Sequence, residues 1–172
     1  GDGLDDLYYC AEGGLPNRLL LQKPDGTVED FSELSGVDLL DPGRSALFLD
    51  MDNDGDQDLA VVASYSNVLW FSNDGTGRFA LRGQFKASGH IQGMSSVDYD
   101  NDSLPDLYLC CYNDTPEISD TMGAGTPSPF FDARNGLPNV LLRNGGNFSF
   151  KDVTKDCGLD DNNNRYSFIG VW

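Results

Sequence analysis

The 172 residues carry 28 Asp and Glu against 11 Lys and Arg, a formal net charge of −17; nucleic acid and anionic membrane are excluded as partners, because their phosphates would be repelled. With 39% hydrophobic residues the chain can bury the core of one ordinary domain, yet no run of about 18 apolar residues is present to insert into a membrane. No charged-then-apolar leader opens the sequence, and the repeat phase described below is that expected of a piece of a longer chain.

The chain begins with Asp2-Gly3-Leu4-Asp5-Asp6 and the strand-like Leu7-Tyr8-Tyr9-Cys10. Gly14-Leu15-Pro16-Asn17-Arg18-Leu19-Leu20 then leads into the turn Pro24-Asp25-Gly26 and a short strand over 27–31; Asp-Gly tolerates the positive φ of a tight hairpin. Next comes Ala46-Leu47-Phe48-Leu49, followed by an acidic turn from Asp50 to Asp58 of pattern D-x-D-x-D-G-x-x-D, then Leu59-Ala60-Val61-Val62. Apolar runs of about four residues suit buried strands better than helices. Asp50, Asp52, Asp54 and Asp58 place four carboxylates within nine residues. At ~4 Å each pair repels by about 4 kcal/mol at an effective dielectric near 20. A hard divalent cation removes that repulsion, and Ca2+ takes oxygen ligands of this kind. An EF-hand is excluded, since its twelfth position needs a bidentate Glu and here holds Val61.

The pattern recurs 48 residues on, as Asp98, Asp100, Asp102 and Asp106, with Ser103 in place of the glycine, and Asp2 to Asp6 is a truncated third copy. Other segments recur as well: Ser66-Asn67-Val68-Leu69-Trp70 and Gly136-Leu137-Pro138-Asn139-Val140-Leu141-Leu142 each precede a turn, at 73–77 and 144–147, and then a short strand, over 78–84 and 148–153. One unit is thus four strands, A, the acidic turn, B, a loop, C, a glycine hairpin and D. Units of four strands and about 40 to 60 residues are blades of a β-propeller, which stack to bury their faces. The fold class is all-β: part of one propeller of antiparallel four-stranded blades, about three in number. Residues 1–45 form the remainder of a blade, strands B to D; 46–93 a full blade; 94–165 a full blade with an insertion at 113–135; and 166–172 strand A of the next. Because about three blade-lengths cannot close a ring, the chain is expected either to belong to a larger protein or to assemble with copies of itself.

The insertion holds Phe130-Phe131, expected to anchor the loop to its blade or else to serve as a contact point. Asn113 and Asn147 each open a glycosylation sequon, supporting export. Cys10, Cys110, Cys111 and Cys157 show no zinc spacing. Cys10 and Cys110 fall at the same place in blades separated by a third, too far for a disulfide, whereas Cys111 and Cys157 can pair across the third blade. The lone histidine, His90, has no nucleophile elbow near it, and Trp70 and Trp172 read as blade packing.

These residues resemble the FG-GAP/VCBS repeat family, the calcium-binding propeller of integrin alpha subunits and many secreted proteins. The hairpin flanks Asn17-Arg18-Leu19-Leu20, Asn139-Val140-Leu141-Leu142 and Lys151-Asp152-Val153-Thr154 are closest to its cartilage acidic protein (ASPIC/UnbV) branch. The resemblance implies a Ca2+ in each A–B turn: Asp50, Asp52, Asp54 and Asp58 by side chain with Asp56 by its carbonyl, then Asp98, Asp100, Asp102 and Asp106 with Leu104 by its carbonyl. Asp2, Leu4 and Asp6 remain of a third, partial site. The expected function is an extracellular or cell-surface, non-catalytic module that binds a protein or glycan; the alternative is an accessory propeller of a secreted enzyme.

Overall fold

A computed structural model describes residues 3–112, 127 and 129–172. Short apolar runs separated by turn-forming residues give eleven strands and one helical turn among them: β1 (Leu7–Tyr9), β2 (Arg18–Gln22), β3 (Val28–Asp30), α1 (Ser32–Ser35), β4 (Gly43–Leu49), β5 (Asp58–Ala63), β6 (Asn67–Asn73), β7 (Phe79–Lys86), β8 (Ile91–Val97), β9 (Asp106–Cys111), β10 (Val140–Asn144) and β11 (Phe150–Asp152). They form three antiparallel sheets in chain order, β1-β2-β3, β4-β5-β6-β7 and β8-β9-β10-β11. Two of the sheets have four strands and the first has three.

The blade ends are tied by the same side chains each time. Asn17 Oδ1 accepts the Ala11 N–H (2.8 Å), and Asn139 Oδ1 accepts that of Cys111 (2.8 Å), so the asparagine of each Leu-Pro-Asn segment caps the end of strand B. The Ser32 hydroxyl accepts from Leu19 N (2.9 Å) as Thr154 Oγ1 accepts from Leu141 N (2.9 Å). In the hairpins, Asp25 Oδ1 and Asp74 Oδ1 accept the N–H groups of Thr27 and Thr76 (both 2.9 Å), holding each Asp-Gly turn closed.

The middle sheet faces apolar cores on both sides. Leu59, Val61 and Phe71 pack with Leu19 and Val37 of the first blade, while Ala60, Val62, Val68 and Trp70 pack with Leu107, Leu109, Val140 and Leu142 of the third. This two-sided demand explains why β5 is buried at every residue, a pattern a surface strand would not need. Trp70 joins the two full blades: its ring lies 4.8 Å from that of Phe150, and its Nε1–H donates to the Phe148 carbonyl (3.1 Å). A Cβ at Gly83 would fall 2.6 Å from that nitrogen, so only glycine leaves room for the indole.

The structure corrects three expectations. Residues 166–172 form no strand. The segment crosses the far face of the third sheet, with Trp172 edge-on to Tyr108 and Ser167 N donating to the Cys111 carbonyl (3.1 Å). Phe130 and Phe131 are 87% and 90% exposed, so they do not anchor the insertion, of which 113–126 and 128 lie outside the described residues. Cys111 and Cys157 are both free thiols: β9 buries Cys111 completely, whereas Cys157 sits on the surface with Sγ 3.4 Å from Tyr99 Oη. The helical turn α1 follows β3, where Ser35 N reaches the Phe31 carbonyl (2.9 Å) and Gly36 ends it in the left-handed region (φ 78°).

Candidate metal centre

Each acidic turn links strands A and B of a full blade, β4 to β5 and β8 to β9, and its carboxylates first organise its own backbone. In the first turn Asp50 accepts the N–H groups of Asp54 (3.1 Å) and Gly55 (2.9 Å), and Asp54 Oδ1 accepts that of Asp56 (2.9 Å). In the second, Asp98 accepts from Asp102 (3.0 Å) and Ser103 (2.9 Å), and Asp102 Oδ1 accepts from Leu104 (3.0 Å). The ninth-position aspartates are fully buried. Asp58 takes the N–H groups of Met51 (2.8 Å) and Asn73 (2.9 Å), and Asp106 those of Tyr99 (2.9 Å) and Asn144 (2.8 Å). Asp6 in the first blade accepts in the same way from Gln22 N (3.0 Å). Asp2 lies outside the described residues, and Leu4 lines a cleft of about 590 Å³ between the first two blades together with Asp5, Asp6, Asp56 and Phe79.

Oxygens of Asp50, Asp52 and Asp54 come within 4.8 Å of one another, as do those of Asp98, Asp100 and Asp106. Burial pushes the Asp58 carboxyl up to about 6, partly offset by its two N–H bonds, with the charges of Asp52 and Asp54 adding to the rise; Asp106 is raised for the same reasons. No salt bridge reaches Asp50, Asp52 or Asp54 among the described residues. Asp100 Oδ1 is buried and has no hydrogen-bond partner. An all-oxygen donor set, concentrated negative charge and an orphaned carboxylate oxygen together fit a hard divalent cation. Asp50, Asp52 and Asp54 in one turn and Asp98, Asp100 and Asp106 in the other could hold it.

Sequence reading missed the side chains that join the two turns. Asn53 Nδ2 donates to the Ser103 carbonyl (2.9 Å). Buried Asn144 donates from Nδ2 to the Met51 carbonyl (2.8 Å) of the first turn and to the Pro105 carbonyl (3.3 Å) of the second. Arg143 is paired with Asp100 (Nε to Oδ2, 2.6 Å) and Asp102 (Nη2 to Oδ2, 3.2 Å). The signal for the asparagine was present, since Gln22, Asn73 and Asn144 each close strand C one residue before a hairpin. Elsewhere, Asn147 is exposed in its hairpin, Asn113 lies outside the described residues, and His90 stacks on Tyr65 with ring centroids 5.2 Å apart.

Repeated four-stranded sheets, each with an oxygen-rich turn between its first two strands, define a repeat protein of the propeller type. The FG-GAP-like repeat matches the chain over residues 1–61 and 50–109, and the chain belongs to that family. No curated protein aligns significantly with it. No helix among the described residues is long and apolar enough to cross a membrane.

Proposed function

We propose that the chain is a calcium-stabilised, extracellular, non-catalytic propeller module that presents loops to a protein or glycan, within the cartilage acidic protein-like branch of the repeat family. The observation that carries the calcium reading is the buried, partnerless oxygen of Asp100 within a carboxylate cluster. Asp50, Asp52, Asp54 and Asp58 hold the first ion, with Asp98, Asp100, Asp102 and Asp106 around the second and the carbonyls of Asp56 and Leu104 completing the sets. The ion supplies positive charge that cancels the repulsion within each turn and fixes strand A against strand B. The ligand surface belongs to loops such as 113–135 and to the exposed pair Phe130 and Phe131.

At calcium about tenfold above the dissociation constant, each site adds roughly 1.4 kcal/mol. Two sites in a chain of this size raise Tm by about 5–10 °C. Differential scanning calorimetry in millimolar calcium, the level set by the weak affinity of extracellular sites, against excess EDTA measures this. Superimposable melting curves would remove the calcium reading; an immobilised-glycan or pull-down screen then addresses the ligand separately.

A further inference from the structure

The two acidic turns share sequence pattern and backbone hydrogen bonds but not electrostatics. In the first, Asp54 belongs to the carboxylate cluster; in the second its counterpart Asp102 does not, and Asp106 takes the third place. The cause is at hand in Arg143, whose guanidinium draws Asp102 Oδ2 to 3.2 Å of Nη2 and holds Asp100 Oδ2 at 2.6 Å from Nε. Arg143 stands immediately before Asn144, and the residues at the same place before Asn73 and Gln22 are Ser72 and Leu21, neither of which carries charge. The second turn therefore has a cation supplied by the chain itself, and the first has none among the described residues. Asp100 is held by one oxygen only, its buried Oδ1 remaining without a partner, so the guanidinium neutralises the rim of the cluster without filling its centre.

Resting on the calcium reading above, we infer that Arg143 is an affinity-setting residue: it makes the second turn the weaker calcium site and keeps that turn in shape when calcium is absent. The guanidinium opposes the ion in two ways. It repels a second positive charge close by, and it engages Asp102, which the first site offers freely through Asp54. In calcium-free protein the same contacts relieve repulsion between Asp100 and Asp102, relief that the first turn lacks.

The test is isothermal titration calorimetry of the 172-residue chain with calcium chloride, alongside Arg143→Ser, which reproduces the Ser72 environment, Arg143→Lys, and each of these combined with Asp98→Asn. The wild-type chain is expected to bind two ions with unequal affinity. Arg143→Ser should tighten the weaker site by roughly three- to tenfold, the size of a unit charge repelled across a partly solvated surface, and leave the tighter site unchanged. Asp98→Asn should abolish the gain, and Arg143→Lys, which keeps the charge, should remain within about twofold of wild type. Melting in EDTA supplies a second readout that falls for Arg143→Ser alone, the opposite direction to its calcium affinity. Two ions bound with Arg143→Ser affinities equal to or weaker than wild type would overturn the role of Arg143 and leave the calcium reading standing. A wild-type chain that takes up no calcium would overturn both.

Discussion

Within each acidic turn the fourth position is an asparagine in the left-handed region, Asn53 at φ 61° and Asn101 at φ 60°, where asparagine pays less than most residues. The sixth position must also be left-handed. It is Gly55 at φ 94° in the first turn but Ser103 at φ 70° in the second, and a side chain there strains the backbone by roughly 1–2 kcal/mol. Gly brings a larger loss of chain entropy that offsets part of this. Ser103→Gly is therefore expected to stabilise the chain by about 0.5–1 kcal/mol, a rise in Tm of about 1–4 °C. The Ser103 contacts to Asp98 and Asn53 run through its N–H and carbonyl, so the substitution keeps them. A lower Tm for Ser103→Gly than for wild type would show that the turn is not strained at this residue.

At the scale of elements, the end of β10 locks two blades together through one amide. Asn144 is fully buried, and its Nδ2 serves both turns while its Oδ1 accepts the Gly146 N–H (3.0 Å). Truncation to alanine leaves the Met51 and Pro105 carbonyls and the Gly146 N–H without that partner, which costs about 2–4 kcal/mol at a buried site. Asn73, its counterpart in the middle blade, donates to the more exposed Gln57 carbonyl (3.0 Å) and accepts the N–H groups of Gly75 and Gly77 (both 3.1 Å), all within its own blade and nearer solvent, and Asn73→Ala should cost about 1 kcal/mol. Urea unfolding of the two variants measures the contrast; equal losses would mean that Asn144 does not link the blades. The strands themselves were legible in the sequence because the aspartate spacing fixes where A ends and B begins, and apolar runs such as Leu59 to Val62 mark the buried strand. The links were not, because Asn144 and Met51 are 93 residues apart and a local pattern carries no information about what lies across an interface. For the same reason 166–172 read as a strand: its residues have the right character, but a strand is defined by its partner, and Phe130-Phe131 read as an anchor because apolar character alone does not say what covers it.

Over the whole molecule, stability is distributed unevenly because each blade is buried only by its neighbours. The middle sheet is covered on both faces, and β5 and much of β9 are buried. The first sheet meets a partner on one face only: β3 is exposed throughout, and Leu7, Tyr9 and Val28 are each more than half exposed. Its ion pairs, Arg18 with Asp30 and Lys23 with Glu29, lie at the surface and add little. Opening the first blade therefore uncovers one core, whereas opening the middle blade uncovers both. Native-state hydrogen exchange of the 172-residue chain should show amides of β5, β6, β9 and β10 exchanging through global unfolding, with a common free energy that tracks urea. Amides of β1 to β3 should exchange earlier, through a smaller opening that urea affects less. Asn144→Ala gives the discriminating comparison: because it severs the link between the second and third blades, it should lower the common free energy of β5, β6, β9 and β10 together and leave that of the smaller opening of β1 to β3 unchanged. Equal protection across all three sheets would show instead that the blades unfold as one unit, and that the one-sided burial of the first blade has no energetic consequence.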